Sequence, residues 1–242
     1  MESNFFESVI QNWATTYYTI PLWYCCSITA FILGLKNYKK EKVYFLMISY
    51  VFINILCLLV WDYAAAQLTK KMEKALILEC VNTLFSLFEI TVFYIFFAKV
   101  IISKKTKFLA KIFVLFIYLL SLIFFILVAT LRFTYTKIMA FSYRINVLEF
   151  FLLLLLCLIF FYELFNERNL QFSSRLKKTS LIVTTGLFFY TIISLPFLLI
   201  GDKLISFSLH LYHIMFSIHY ISICFLFICL AKAFMCKTSL TT

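Results

Sequence analysis

The chain has 242 residues, of which 64% are apolar, 20% are aromatic and only 14% are charged. A soluble domain carries about 25% charged residues, so there is too little polar surface here to cover a water-soluble globule, and the sequence reads as an integral membrane protein. The formal net charge of +11 would point to nucleic acid in a soluble protein. Here the basic residues lie in short joints beside anionic headgroups, and no nucleic-acid partner is expected.

The first 17 residues place Phe6, Val9, Ile10, Trp13 and Tyr17 at helical spacing. This predicts a short amphipathic helix lying on the outer interface. The opening lacks a basic n-region and a small-residue cleavage site, so the first apolar run is expected to act as its own insertion signal. A hydrocarbon core of about 30 Å needs about 20 apolar helical residues. Seven runs meet that need, at roughly 18–35, 43–62, 76–99, 109–131, 145–166, 180–200 and 208–234. The first begins near Pro21, a residue suited to a helix start. The expected fold is therefore an all-α bundle of seven transmembrane helices, in a single domain over 1–242.

Seven spans put the termini on opposite faces. The joints after spans 1, 3 and 5 and the C-terminal end hold 15 of the 22 basic residues, among them Lys36, Lys39, Lys104, Lys105, Lys177 and Lys178. The opposite face holds 7, including Lys70, Arg132 and Arg144. The positive-inside bias predicts the N-terminus outside and the C-terminus inside. No loop is long enough for a soluble domain, so any cytoplasmic output is expected to pass through a partner. The eight cysteines lie in spans or at the inner end, and they read as small apolar packing residues. No GxxxG occurs, so close backbone crossings are not expected.

Carboxylates inside a membrane are costly and mark functional sites by default. In span 3, Glu79, Asn82, Ser86 and Glu89 share one face. Glu89 falls near mid-membrane, where it is expected to be protonated or paired. Span 5 carries Asn146 and Glu149 at i, i+3, read as lying in its outer third, and Glu163 near its inner end, expected to snorkel toward basic residues. Glu79 and Glu149 have a bland alternative, pairing with Arg144 or Arg132 at the outer rim. In span 2, Tyr50 and Asn54 share a face. In span 7, His210, His213, Ser217 and Tyr220 share a face while His219 points away. Thr184, Thr191 and Ser194 form a face of span 6. The candidate ligand-binding cluster is Asn54, Glu79, Asn82, Glu89, Asn146, Glu149, His210 and His213, lining a cavity open to the outside with Glu89 and Asn54 at its floor. The bland alternative for the amides and hydroxyls is helix-to-helix hydrogen bonding.

Several classes fail on residues. A retinal protein needs a lysine in mid span 7, and none lies between Lys203 and Lys232. Span 3 ends FFAKVI and span 7 lacks an NP pair, unlike eukaryotic G-protein-coupled receptors. Small sugar transporters with a 3+1+3 plan use prolines in several spans, and only Pro21 and Pro196 are present. The scarcity of Gly and Pro also disfavours unwound transport helices and backbone-lined filters. A membrane zinc hydrolase needs about three N/O ligands and an open position. His210 and His213 could supply two and Glu79 or Glu149 a third, but the set is incomplete. No metal and no cofactor are expected.

The segments NVLEFFLLLLLCLIFFYELFNERN, KTSLIVTTGLFFYTIISLPFLLIG and HLYHIMFSIHYISICFLFICLAKAF resemble a group of seven-helix membrane proteins of Bacteroidota-type bacteria, often encoded beside sensor histidine kinases. The resemblance covers the latter 40% of the chain most clearly. It implies a sensing or signalling accessory role. The expected function is a non-enzymatic sensor in the bacterial inner membrane, acting through a partner such as a sensor kinase. The alternatives are a small-solute or proton-coupled transporter and a metal-dependent lipid hydrolase.

Overall fold

Backbone polar groups have no water to bind in a bilayer core, so a spanning chain must satisfy them internally, as a helix does. The computed structural model follows that rule. It describes residues 19–38, 42–67, 71–130, 135–166 and 174–236. Among them are seven α-helices and no strand: α1 (Ile20–Lys36), α2 (Lys42–Gln67), α3 (Lys71–Val100), α4 (Lys104–Ala129), α5 (Tyr135–Phe165), α6 (Ser174–Phe207) and α7 (Leu209–Met235). Helices α2 to α7 are each long and apolar enough to cross a membrane. Helix α1 is apolar but has 17 residues, about 26 Å at 1.5 Å per residue. The expected N-terminal amphipathic helix lies outside the described residues, as does Arg132.

Local chemistry sets the helix ends. Pro21 sits in the first turn of α1, where its missing N–H costs nothing. Ser103 and Ser208 cap α4 and α7, their hydroxyls accepting from the backbone N–H of Thr106 and Leu211. Helix α5 starts ten residues before the apolar run that announces it. The segment YTKIMAFSYR at 135–144 is helical, but Lys137 and Arg144 lower its hydropathy.

The helices pack as a closed ring in the order α1, α2, α3, α5, α6, α7 and back to α1. Helix α4 packs outside the ring, against α3 and α5. Only 22% of its most apolar stretch is buried inside the protein, half the 44% of the other five spans. Phe108, Leu115, Leu119 and Leu122 on α4 face outward. The ring interior is aromatic. Tyr50 stacks with Phe85 and Phe227, and its ring meets Phe93 edge-on at 5.2 Å. Phe150 meets Tyr190 edge-on at 5.0 Å.

Close crossings do occur without GxxxG. A Cβ placed on Gly186 of α6 would lie 2.6 Å from Cβ of Cys229 on α7. One on Gly34 of α1 would lie 2.9 Å from Cγ1 of Ile48. A single glycine suffices for a close approach, to Cys229 in one place and to Ile48 in the other, so the absence of the motif is no guide here. Cys157, Cys224 and Cys229 are buried in this packing and all eight cysteines are unbridged.

Candidate functional site

Glu89 and Glu149 are 2% and 1% exposed. Glu149 sits 14 residues after the start of α5 and 16 before its end, so it lies at mid-helix. The outer-third position expected from hydropathy is corrected by the early start of α5. Helices α3 and α5 are ring neighbours, and their polar stripes face each other. Thr83 and Ser142 share a 3.3 Å hydrogen bond. Ser86 donates to Oε2 of Glu149. The Glu89 and Glu149 side chains are direct neighbours. Asn146 lies on the same face of α5, four residues after Ser142 and three before Glu149.

The pair draws on two more helices. Tyr50 of α2 donates a 2.6 Å hydrogen bond to Oε1 of Glu89. Tyr190 of α6, buried, lies within electrostatic range of both carboxyls. Among the described residues, neither carboxyl has a basic partner. The rim pairing of Glu149 with Arg144 is therefore corrected: Arg144 is exposed, whereas Glu149 turns to Ser86. Oε1 of Glu149 and Oδ1 of Asn146 are buried and have no hydrogen-bond partner. Buried polar atoms are nearly always satisfied; the hydroxyl of Thr184 on α6 is a third without a partner, and the two on α5 lie on the face that meets α3.

The remaining candidates take other places. Asn54 is buried and accepts a 3.0 Å hydrogen bond from the Trp23 indole of α1. Asn82 is half-buried and accepts from the Trp61 indole of α2 at 3.4 Å. Glu79 is buried, ten residues before Glu89 on α3. His210 is exposed and His213 half-buried, and no hydrogen bond joins either imidazole to the carboxyl pair. His219 is the histidine that reaches the helix interface. Its Nδ1 lies 2.8 Å from the Ser194 hydroxyl of α6, and its ring stacks on Phe197 at 5.3 Å. Among the described residues, no three His, Cys, Asp or Glu side chains group as a metal site would require.

Two buried polar residues, Tyr190 and Asp62, were invisible to spacing. Tyr190 is one of 15 tyrosines, and nothing in its neighbourhood marks its hydroxyl as interior. Asp62 is 6% exposed and accepts a 2.7 Å hydrogen bond from Tyr24 of α1. It stands at the end of an apolar run, where a carboxylate reads as an interfacial residue. Glu163 departs from its expected snorkelling. Its carboxylate accepts from the backbone N–H groups of Ile102 at 2.7 Å and Ser103 at 3.1 Å, satisfying the joint between α3 and α4.

The chain matches no family model, no curated protein and no solved structure. The site is therefore read on its own geometry. Two carboxyls without a cationic partner, held by hydroxyls inside a helix ring, can take up and release a cation.

Proposed function

We propose that the chain is a seven-span inner-membrane sensor that responds to protonation of the Glu89–Glu149 pair and hands the resulting helix shift to a membrane partner such as a sensor kinase. The observation that carries this reading is the meeting of two carboxyls from α3 and α5, both buried and without a basic partner. Like charges at short range in a low-dielectric interior resist joint ionisation. Adding or removing one proton there changes the force between two neighbouring helices.

Helix α1 as a seventh span is supported by its pairing along α2. Tyr24 meets Asp62 at one end, Phe31 stacks on Phe52 midway at 5.4 Å, and Gly34 approaches Ile48 at the other end. The basic-residue bias supports the N-terminus outside and the C-terminus inside. A C-terminal fluorescent-protein fusion that lights up, with a C-terminal alkaline phosphatase fusion that stays inactive, is the expected result. The reverse pattern overturns the orientation.

The functional test uses the native membrane. Gentle crosslinking, purification in mild detergent and mass spectrometry should return a recurrent membrane partner. Its yield should change with pH in the wild type and not in Glu89→Gln. A second reading, a proton-coupled carrier, is favoured by the placement of the pair within a closed helix ring. Solute uptake driven by a proton gradient into liposomes, abolished by Glu89→Gln, would replace the sensor reading with that one.

A further inference from the structure

We propose that the facing stripes of α3 and α5 form a sodium site, with Oε1 of Glu149 and Oδ1 of Asn146 as its principal ligands, at which Na⁺ and H⁺ exclude each other. The inference rests on the proton-sensing reading of the same pair and names a second ligand for it.

The donor chemistry is all oxygen: two carboxyls, one amide carbonyl and the hydroxyl of Ser86. Hard cations select such sets, and soft metals do not. Two of these oxygens stand out because they have no hydrogen-bond partner although both are buried. With Glu149 ionised each is an acceptor only, so they cannot satisfy each other unless a proton or another cation lies between them. They lie three residues apart on one face of α5. That face is turned to α3, as the Thr83–Ser142 and Ser86–Glu149 contacts on either side of Asn146 require.

Charge points the same way. An ionised carboxylate in an apolar interior is tolerated only when paired or bound to a metal. Among the described residues no Lys, Arg or His approaches either carboxyl. The groups facing the pair are Tyr50 from α2 and Tyr190 from α6. On α7, Phe227 packs on Tyr50 and His219 lies 6.1 Å from the Tyr190 ring. None supplies a fixed positive charge there. A divalent ion fits less well: Ca²⁺ takes about six to eight oxygens and Mg²⁺ keeps several waters. The set here reaches six oxygens only if every carboxyl oxygen binds, and two of those already accept from Tyr50 and Ser86; the surroundings are aromatic and aliphatic.

The test is the thermal unfolding of the full chain in detergent. It is titrated with NaCl against choline chloride at fixed ionic strength, at about pH 8 and about pH 5, where carboxyl protonation differs. The expected result is a saturable, sodium-dependent rise in melting temperature at the higher pH. The apparent sodium affinity should weaken by about tenfold or more at the lower pH, as protons fill the site. Asn146→Leu should abolish the sodium response, and Asn146→Asp should keep it. This pair of variants holds the carboxyls in place and guards against a Glu149 variant that does not fold. Binding of radioactive sodium, displaced by unlabelled NaCl and not by choline chloride, should follow the same order.

Equal shifts in sodium and choline overturn the site, as does a full sodium response in Asn146→Leu or a response to Ca²⁺ alone. A pH-dependent partner yield without any sodium effect would sink sodium binding and leave the proton reading standing. A sodium effect without a pH-dependent partner yield would do the opposite.

Discussion

Tyr50 on α2 donates a 2.6 Å hydrogen bond to Glu89 on α3, and both residues are almost completely buried. This bond ties α2 to the helix pair that carries the carboxyls. Tyr50→Phe keeps the ring and its contacts with Phe85, Phe93 and Phe227 but removes the donor from a buried carboxyl. Leaving such a group unsatisfied costs about 1–3 kcal/mol. A lowered unfolding midpoint of that size is expected. In a double-mutant cycle, Glu89→Leu should cost less in the Tyr50→Phe background than in the wild type, because no orphan is then created. Additive losses would show that the bond contributes nothing.

The crossing of α6 and α7 at Gly186 gives a second expectation. The new methyl of Gly186→Ala would lie 2.6 Å from Cβ of Cys229 and 3.4 Å from the Leu226 backbone. Neither atom can move without moving α7. Overpacking of this kind costs about 1–3 kcal/mol. Gly34→Ala should cost less, since its nearest obstacle is a side-chain carbon of Ile48. Thermal unfolding of the two variants side by side would check the order, and an unchanged midpoint for Gly186→Ala would refute the close approach.

Glu163 supports a different prediction, at the joint of α3 and α4. Its carboxylate holds two backbone N–H groups next to the Ser103 cap of α4. Glu163→Ala should release residues 101–103 and cost about 1–2 kcal/mol, the scale of a lost helix cap. Glu163→Gln keeps an acceptor and should lose less. Limited proteolysis at the joint reads this directly: faster cleavage in Glu163→Ala than in wild type is expected. Equal rates would mean that the joint holds without the carboxylate.

Much of this architecture is legible in the residues, for physical reasons that also mark the limit. The 3.6-residue period put Glu79, Asn82, Ser86 and Glu89 on one face of α3, because side-chain direction along a helix depends on sequence alone. It also grouped Asn146 with Glu149. Period says nothing of which face turns inward, and so His210 and His213 were favoured over His219, which bonds Ser194. Hydropathy marks seven apolar runs, six of which are helices long and apolar enough to cross a membrane, but it misplaces the start of α5, since Lys137 and Arg144 are helical yet charged. That single error moved Glu149 away from Glu89 in depth and hid their meeting. The partners of the two amides, Trp23 and Trp61, depend on which helices adjoin, and that follows from three-dimensional packing.

The carboxyl pair itself yields the last prediction, which separates its structural part from its functional part. Glu149→Gln preserves shape and an oxygen that can accept from Ser86, while its amide N–H can donate toward Glu89. It removes one of two potential like charges from the interior, where each unpaired charge costs several kcal/mol. Its unfolding midpoint at about neutral pH should therefore match or exceed that of wild type, within about 1 kcal/mol. Glu149→Leu leaves Glu89 with Tyr50 alone and deprives Ser86 of its acceptor, so a loss of about 1–3 kcal/mol is expected. The same two proteins should both lose any pH-dependent change in tryptophan fluorescence, for which Trp23 and Trp61 report from their bonds to Asn54 and Asn82. If Glu149→Gln were as unstable as Glu149→Leu, the carboxyl would be required for the fold, and the pair could not be an element whose protonation changes freely within an intact bundle.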